Sequence, residues 1–143
     1  IHVSEITVPS YDGTPEMLEA QAQMTEALFK LWFSVENIGS IVWWNLVDGY
    51  AFVNPENPSW NEDYYGGGLL RKDFTPKPAF EVVNRLINKE WKTNVTDITD
   101  EKGNMSFRGF HGEYKITVEK NGFVSEHTVK LSKTSPFIHI QLK

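Results

Sequence analysis

The sequence contains no cysteine, which excludes disulfide bridges and metal sites built on thiolates. It also has no apolar run near the roughly 20 residues that a membrane-spanning helix needs. Basic residues are outnumbered, with 14 Lys and Arg against 19 Asp and Glu, for a formal net charge of -5 at pH 7. A partner such as nucleic acid or an anionic membrane surface requires a basic face, which this composition does not favour. A neutral ligand remains, and sugars are the obvious neutral polymer.

Histidine is also scarce, and its spacing does not suit a metal site. The four histidines are scattered along the chain, at His2, His111, His127 and His139. Zinc sites use ligands at short, recurrent spacings, which these positions do not show. We therefore expect neither a metal ion nor a cofactor.

Aromatic residues, in contrast, are abundant, since they make up 13% of the 143 residues and include five tryptophans. Hydrophobic residues reach 40%, which is enough for a folded core and argues against disorder. A tryptophan-rich core would explain the aromatic count, and so would a carbohydrate-binding cleft. The count alone leaves both open.

The first part of the chain has the pattern of a strand, a helix and a second strand. Residues 1–8 alternate and are rich in β-branched side chains, which predicts a buried strand. Thr14 is placed to cap a helix over 15–37, and Gly39 is placed to end it. Residues 41–46 are apolar nearly throughout, as in a strand covered on both faces. This order predicts a parallel sheet.

The following segment is a long loop and then a helix. The loop, from about residue 47 to 68, is rich in aromatic side chains, and loops this long inside compact domains are usually functional or mobile. A helix is predicted over 78–90. Because the chain opens directly on a strand pattern, we expect an N-terminal region that precedes residue 1 and is missing from this sequence.

From residue 91 the apolar period falls to two, which indicates strands. Strands are predicted near 91–97, 104–110, 114–119, 123–131 and 137–142, and Asn121-Gly122 is a strong hairpin-turn signal. The sequence thus predicts an α/β domain over 1–90 and a small antiparallel β-sandwich, an all-β domain, over 91–143.

Glu5 and Trp44 are the first candidate site residues. Glu5 is predicted near the C-terminal end of a strand that leads into a helix, the end at which α/β barrels carry their chemistry, although a strand-end Glu can also simply face solvent. Trp43 and Trp44 point to opposite faces because side chains alternate along a strand, so one ring can face a cleft. Asp48, just after this strand, can hydrogen-bond a sugar hydroxyl or stabilise a turn.

Three segments together resemble glycoside hydrolase family 10, the endo-β-1,4-xylanase type. The nucleophile strand of that family is similar to Ile1-His2-Val3-Ser4-Glu5, and its eighth strand, in which Asp follows Trp by four residues, is similar to the segment from Trp44 to Asp48. Its closing segment resembles Leu69-Leu70 followed by Lys77-Pro78-Ala79-Phe80. The order and the spacing of the three segments also resemble those of the family.

This resemblance implies that residues 1–90 are the C-terminal strand-helix-strand-helix portion of a (β/α)8 TIM barrel. It implies that Glu5 is the nucleophile of a retaining hydrolase, that Trp44 lines the subsite beside the cleaved bond, and that Asp48 and Phe52 contact substrate. Phe52 stands four residues after Asp48, where the family often has Trp. The acid/base residue would lie in the missing N-terminal barrel segment, so the chain alone would be inactive.

The implied partner is xylan or xylo-oligosaccharides, with no nucleic acid or membrane, and the implied location is secreted or periplasmic. Residues 99–114 resemble prealbumin-like β-sandwiches, which are often spacers. Two alternatives remain. The chain could be a carbohydrate-binding or spacer module attached to a polysaccharide-degrading enzyme, or part of a retaining hydrolase that acts on another β-glycan.

Overall fold

The computed structural model describes residues 1–57, 59–134 and 138–140. The chain divides into two compact units, Ile1–Glu90 and Trp91–Lys143. The first unit contains two strands and two α-helices, and the second contains a small antiparallel sheet. In chain order the elements are β1 (His2–Ile6), α1 (Pro15–Phe33), β2 (Ser40–Trp43), a 3-10 helix (Glu62–Tyr65), α2 (Pro78–Arg85) with a π-helical turn (Leu86–Glu90), β3 (Gly112–Lys120) and β4 (Phe123–Leu131).

Strands β1 and β2 pair in parallel, which confirms the predicted strand-helix-strand order. Val3 pairs with Ile41, but Ile6 pairs with Trp43, so two residues of β1 stand opposite one residue of β2. This count is that of a β-bulge, which bends a strand and re-aims its side chains. The bulge falls at Ser4 and Glu5.

Helix α1 begins as predicted and ends earlier than predicted. Thr14 is the N-cap, and its Oγ1 accepts a hydrogen bond from the Met17 N–H at 3.4 Å. The helix ends at Phe33, because the Ser34 side chain donates to the Leu31 carbonyl at 2.6 Å and closes the last turn. Gly39 does not cap this helix; its N–H donates to the Ile1 carbonyl at 2.8 Å.

The apolar core of the first unit lies between the two helices and the parallel strands. Its centre is Ala22 of α1, Leu69 and Ala79 of α2, and the Trp43 ring packs against it. Helix α2 starts at Pro78 and the π-helical turn carries the helical path to Glu90, as predicted. The long loop returns to the sheet because Leu69 and Leu70 both donate N–H to the Leu46 carbonyl.

Buried polar side chains hold the segment after β1 against residues 66–68. Gln21, which is 1% exposed, donates from Nε2 to the Val8 carbonyl at 2.8 Å. Lys77, which is 2% exposed, donates to the Ser10 hydroxyl at 3.2 Å and to the Gly66 carbonyl at 2.8 Å. These contacts give partners to the buried donor groups and set the path of both segments, whereas the Gln21 Oε1 is buried without a hydrogen-bond partner in the described residues.

The described residues of the second unit form one β-hairpin. Strands β3 and β4 pair from Gly112 with Leu131 to Lys120 with Phe123, and the turn between them is Asn121-Gly122, as predicted. Both turn residues have positive φ, 54° and 82°. This is the conformation that an Asn-Gly type I′ turn requires. Tyr114, Ile116 and Val118 lie on one face of β3, also as predicted.

The predicted five-stranded sandwich is wrong for the described residues. Residues 93–100 and 104–110 are irregular, and residues 138–140 are not in a strand. The other residues of the strand predicted over 137–142, namely 137, 141 and 142, lie outside the described part of the chain. An alternating sequence becomes a strand only where a neighbour offers a matching row of N–H and C=O groups. Phe107 instead packs edge-on against Tyr114, with ring centroids 5.5 Å apart.

None of the helices in the described ranges is both long and apolar enough to cross a membrane.

Candidate functional site

A groove of about 500 Å³ opens at the C-terminal ends of β1 and β2. It is built from the end of β1 and the segment after it, from the residues that follow β2, and from the far end of the long loop. The residues that line it are Glu5, Ile6, Thr7, Pro9, Tyr11, Trp44, Asn45, Trp60, Glu62 and Tyr65. Aromatic walls with a few convergent polar groups are typical of ligand sites.

Glu5 lies in the groove at the β1 bulge. Its side chain is exposed, and within the described part of the chain its carboxylate has no hydrogen-bond or ion-pair partner. A carboxylate with no protein partner can accept a hydrogen bond from a ligand or attack an electrophilic carbon. Glu5 lies one residue before the end of β1, which pairs in parallel with β2, and this is the position that the sequence predicts.

The two adjacent tryptophans have different environments, as predicted, although β2 ends at Trp43 and does not extend to Trp44, unlike the strand predicted over 41–46. The Trp43 ring lies 6.3 Å from the Phe29 ring, centroid to centroid, and its Nε1 donates to the Gly67 carbonyl at 2.9 Å. The Trp44 side chain is 41% exposed and lines the groove. Trp43 is thus part of the core, and Trp44 presents a ring to the groove.

Glu62 is a second carboxylate in the groove, and the sequence analysis missed it. Its Oε2 accepts hydrogen bonds from the Trp44 Nε1 at 2.9 Å and from the Asn45 Nδ2 at 3.1 Å. The Trp44 hydrogen bond, followed by that of Asn45, lowers the pKa of Glu62 below its ordinary value, while partial burial opposes the shift. Glu62 is therefore an ionised group that is held by two donors.

Tyrosine and tryptophan side chains complete the walls of the groove. The N–H groups of Ser10 and Tyr11 both donate to the Tyr65 carbonyl, at 3.0 and 2.9 Å, which holds Tyr11 beside the long loop. The Tyr11 ring packs 6.3 Å from the Tyr65 ring. Trp60 is 58% exposed and meets Phe52 edge to face at 6.3 Å. Exposed rings of this kind give a sugar an apolar surface while their polar edges stay solvated.

Asp48 and Phe52 do not line the groove. Asp48 Oδ1 accepts the Gly68 N–H at 2.8 Å, and its Oδ2 pairs with the Lys77 Nζ at 2.5 Å. Phe52 is 53% exposed, packs against Trp60, and accepts the Glu62 N–H at its carbonyl at 3.1 Å, so it contacts two residues that line the groove. The structure thus brings Glu5 and Trp44 together and leaves the other two outside, so that substrate contact by Asp48 or Phe52 stays a prediction.

The signals for the missed residues were weak in the sequence. Tyr11, Asn45, Trp60, Glu62 and Tyr65 come from three separate segments, and no local period links them. The one usable signal was the aromatic content of the loop. Among the residues that the structure describes, no group of three or more His, Asp or Glu side chains is arranged to hold a metal ion.

A comparison with models of known protein families finds no match. Over 120 residues, 82% of its length, the chain is 28% identical to the anti-sigma-I factor RsgI6 of Acetivibrio thermocellus. The chain spans 14% of the length of that relative. Among solved structures, it is similar to the glycoside hydrolase GH5_18 of Streptomyces cattleya in complex with Manβ1-4GlcNAc. That similarity has 23% identity and a TM-score of 0.47 and covers 66% of this chain and 21% of the other.

Proposed function

We propose that the groove binds a β-1,4-linked glycan and that Glu5 is the nucleophile of a retaining glycoside hydrolase in a longer protein. The observation that carries this proposal is the placement of an unpartnered carboxylate and an exposed indole ring in one groove at the C-terminal ends of two parallel strands. In α/β barrels this end of the strands is where catalytic side chains gather.

Retaining hydrolysis requires two carboxyl groups about 5–5.5 Å apart. One attacks the anomeric carbon and forms a covalent glycosyl ester while the glycosidic C–O bond breaks. The other gives its proton to the leaving oxygen and then removes a proton from water, which attacks the anomeric carbon, breaks its bond to the ester oxygen and releases the carboxylate. Glu5, which has no protein partner in the described part of the chain, suits the attacking role.

Glu62 does not suit the acid role in this scheme. A general acid needs a raised pKa so that it is protonated near neutral pH, whereas the hydrogen bonds from Trp44 and Asn45 lower the pKa of Glu62. We therefore propose that the acid/base residue comes from a barrel segment upstream of residue 1, as the resemblance to family 10 implies.

A barrel is also the architecture that we propose for the intact protein. Strands β1 and β2 form a two-stranded sheet in the described residues, so each strand has one edge without a strand partner. Two strands alone are marginal in water, and closure into a barrel removes such edges. The upstream segment would supply the remaining strands.

Xylan is the substrate that we propose. The resemblance of the segments at Glu5, Trp44 and Lys77-Pro78 to family 10 supports it, and the net charge of -5 disfavours polyanionic ligands without opposing a neutral polymer. Another β-glycan is the alternative within the same chemistry. Because xylan is an extracellular polymer, we propose a secreted or periplasmic location for the catalytic part.

The match to an anti-sigma-I factor favours a second candidate. In a longer regulatory protein, the same groove would bind glycan as a signal, and turnover would be secondary. A full-length protein that binds xylo-oligosaccharides tightly through Trp44 but does not hydrolyse them would support this candidate over the first.

The direct test of the nucleophile is covalent trapping in the longer protein. A 2-deoxy-2-fluoro aryl β-xylobioside slows both steps of retaining hydrolysis and leaves the glycosyl ester long enough for mass spectrometry of peptides. We expect the added sugar mass on the peptide that contains Glu5. A label on any other carboxylate would overturn the assignment of Glu5, and Glu56→Gln, a change at an exposed loop carboxylate, is the control that should label normally.

A further inference from the structure

One carboxylate oxygen joins the far end of the long loop to the end of β2. Glu62 Oε2 receives both the Trp44 indole N–H and the Asn45 amide N–H, at 2.9 and 3.1 Å. The two donors are neighbours in sequence, and Glu62 lies 18 residues beyond Trp44.

The Trp44 ring and the Asn45 amide each have an orientation that a shared acceptor can select. The Trp44 ring is 41% exposed, so packing alone does not select one rotamer for it. Asn45 has a φ of 60°, a left-handed conformation that Asn adopts more readily than most residues with a side chain, so the acceptor acts on its amide and not on its backbone. A shared acceptor oxygen restrains both side chains, because each N–H then has a hydrogen-bond partner.

We propose that Glu62 is a positioning residue for glycan binding, which clamps the Trp44 ring and the Asn45 amide in their groove-facing orientations. The proposal rests on the proposed function, since it concerns the same groove. A ring that is held before the ligand arrives loses little conformational freedom on binding, which raises affinity without a new contact.

Three variants separate this role from others. Glu62→Gln keeps an acceptor oxygen that can bind both N–H groups, Glu62→Ala removes the acceptor, and Glu62→Asp draws it back by one methylene. The positioning role predicts that Gln preserves function and that Ala and Asp impair it. An acid/base role instead predicts that Glu62→Gln abolishes turnover by the longer protein, while its affinity for glycan stays intact.

The first measurement needs no ligand. In a 15N-labelled chain each of the five tryptophans gives an indole N–H signal, and Trp44→Phe identifies that of Trp44. We expect Glu62→Ala and Glu62→Asp to move this signal and to speed its exchange with water, whereas the other four signals stay in place and report an intact fold. An unmoved Trp44 signal in either variant would overturn the clamp.

The second measurement is the affinity for xylohexaose by calorimetry. We expect Glu62→Ala and Glu62→Asp to weaken binding about tenfold, which is roughly 1.4 kcal/mol, and Glu62→Gln to stay within about threefold of the unchanged chain. Glu56→Ala, which removes an exposed carboxylate from the same loop, should bind normally. Equal losses for Gln and Ala would overturn the proposal, because the charge and not the acceptor would then matter.

Failure of the proposed function gives a different result. Absence of xylohexaose binding by the unchanged chain, or unaltered affinity in Trp44→Ala, would overturn the glycan-binding groove itself. The indole measurement still decides whether Glu62 holds Trp44 in that case.

Discussion

At the scale of single residues, the position of Glu5 depends on an irregularity in β1. Two residues of β1, Ser4 and Glu5, occupy the space opposite one residue of β2. A bulge changes the side-chain direction without breaking the strand, and bulges are frequent beside active sites for that reason. The Glu5 side chain therefore lines the groove, whereas Ile6, the next residue of β1, is buried.

Replacing Glu5 with Gln in the longer protein tests the chemistry at this position. We expect kcat on an aryl β-xyloside to fall by at least about a thousandfold, because an amide cannot form the glycosyl ester. The melting temperature should hardly change, since the side chain is exposed and has no protein partner in the described residues. Near-normal turnover would mean that another carboxylate attacks.

The neighbouring tryptophans should give opposite phenotypes. Trp43→Ala should lower the free energy of unfolding by about 3 kcal/mol, the lower end for a tryptophan in a core, because Trp43 is only partly buried. Trp44→Ala should cost less than about 1 kcal/mol in stability but weaken xylohexaose binding. Urea titration and calorimetry on each variant distinguish them. A large loss of stability in Trp44→Ala together with weakened binding in Trp43→Ala would show that Trp44 is the core residue and Trp43 the groove residue.

At the scale of secondary-structure elements, one buried ion pair joins the start of the long loop to the start of α2. Asp48 pairs with Lys77 at 2.5 Å and also accepts the Gly68 N–H. Gly68 lies so close that an added Cβ would come within 2.6 Å of the Asp48 nitrogen. The pair thus fixes the path of the chain on both sides of the groove loop.

Breaking this pair from one side should be costly. In Asp48→Asn the Lys77 ammonium stays buried without a counter-charge, and we expect a loss of about 3 kcal/mol in the free energy of unfolding. Asp73→Asn, at an exposed turn where the carboxylate contacts Thr75, is the matched control with a much smaller effect. Equal effects in the two variants would show that Asp48 does not hold the loop.

A surface network between the helices should make stability depend on acid pH. The Glu26 carboxylate of α1 accepts from Lys30 at 2.5 Å and pairs with Arg85 of α2 at 2.9 Å. The Lys30 hydrogen bond, then that of Arg85, lowers the pKa of Glu26 below 4.5. A carboxyl group with a lower pKa in the folded state contributes stability above its unfolded pKa and loses it as pH falls through the folded value.

The matching experiment compares the pH dependence of unfolding in the unchanged chain and in Glu26→Gln. Above pH 4.5 the unchanged chain should be the more stable, by a constant margin. Below that pH the two curves should converge, because protonated Glu26 no longer pairs with Arg85. Parallel curves down to pH 2 would show that the network contributes nothing.

At the scale of the whole molecule, the groove belongs to the first unit alone, since all of its lining residues lie within Ile1–Glu90. Its two carboxylates, Glu5 and Glu62, have different environments, and the one with a lowered pKa cannot supply a proton near neutral pH. Under the proposed function, the groove would thus supply the attacking group and the binding surface but no suitable acid.

We therefore expect no hydrolysis of xylan or of an aryl β-xyloside by this chain alone, even where it binds xylohexaose. Addition of the upstream segment, on the same chain or as a separate polypeptide, should restore activity if that segment carries the acid/base residue. Turnover by the chain alone, sensitive to Glu62→Gln, would show that Glu62 serves as the acid.

Local rules were sufficient for several elements and for part of the site. The Thr14 cap, the Asn121-Gly122 hairpin and the opposite faces of Trp43 and Trp44 each depend on residues within a few positions of one another. The position of Glu5 at a strand end was predictable for the same reason. The end of α1 and the sandwich were not, because Ser34 closes the helix through a side-chain contact, and strands need partners that periodicity does not name.

The sequence by itself determined the strand-helix-strand-helix order of the first unit and the different environments of Trp43 and Trp44, because backbone propensity and side-chain alternation act over short distances. Only the tertiary structure decided the partners. The Trp44 indole N–H donates to Glu62, 18 residues further along the chain, and the Gly68 N–H donates to Asp48, which lies 20 residues earlier. Contacts at such separations depend on how the loop closes over the strand ends, and loop closure depends on geometry that no local pattern encodes.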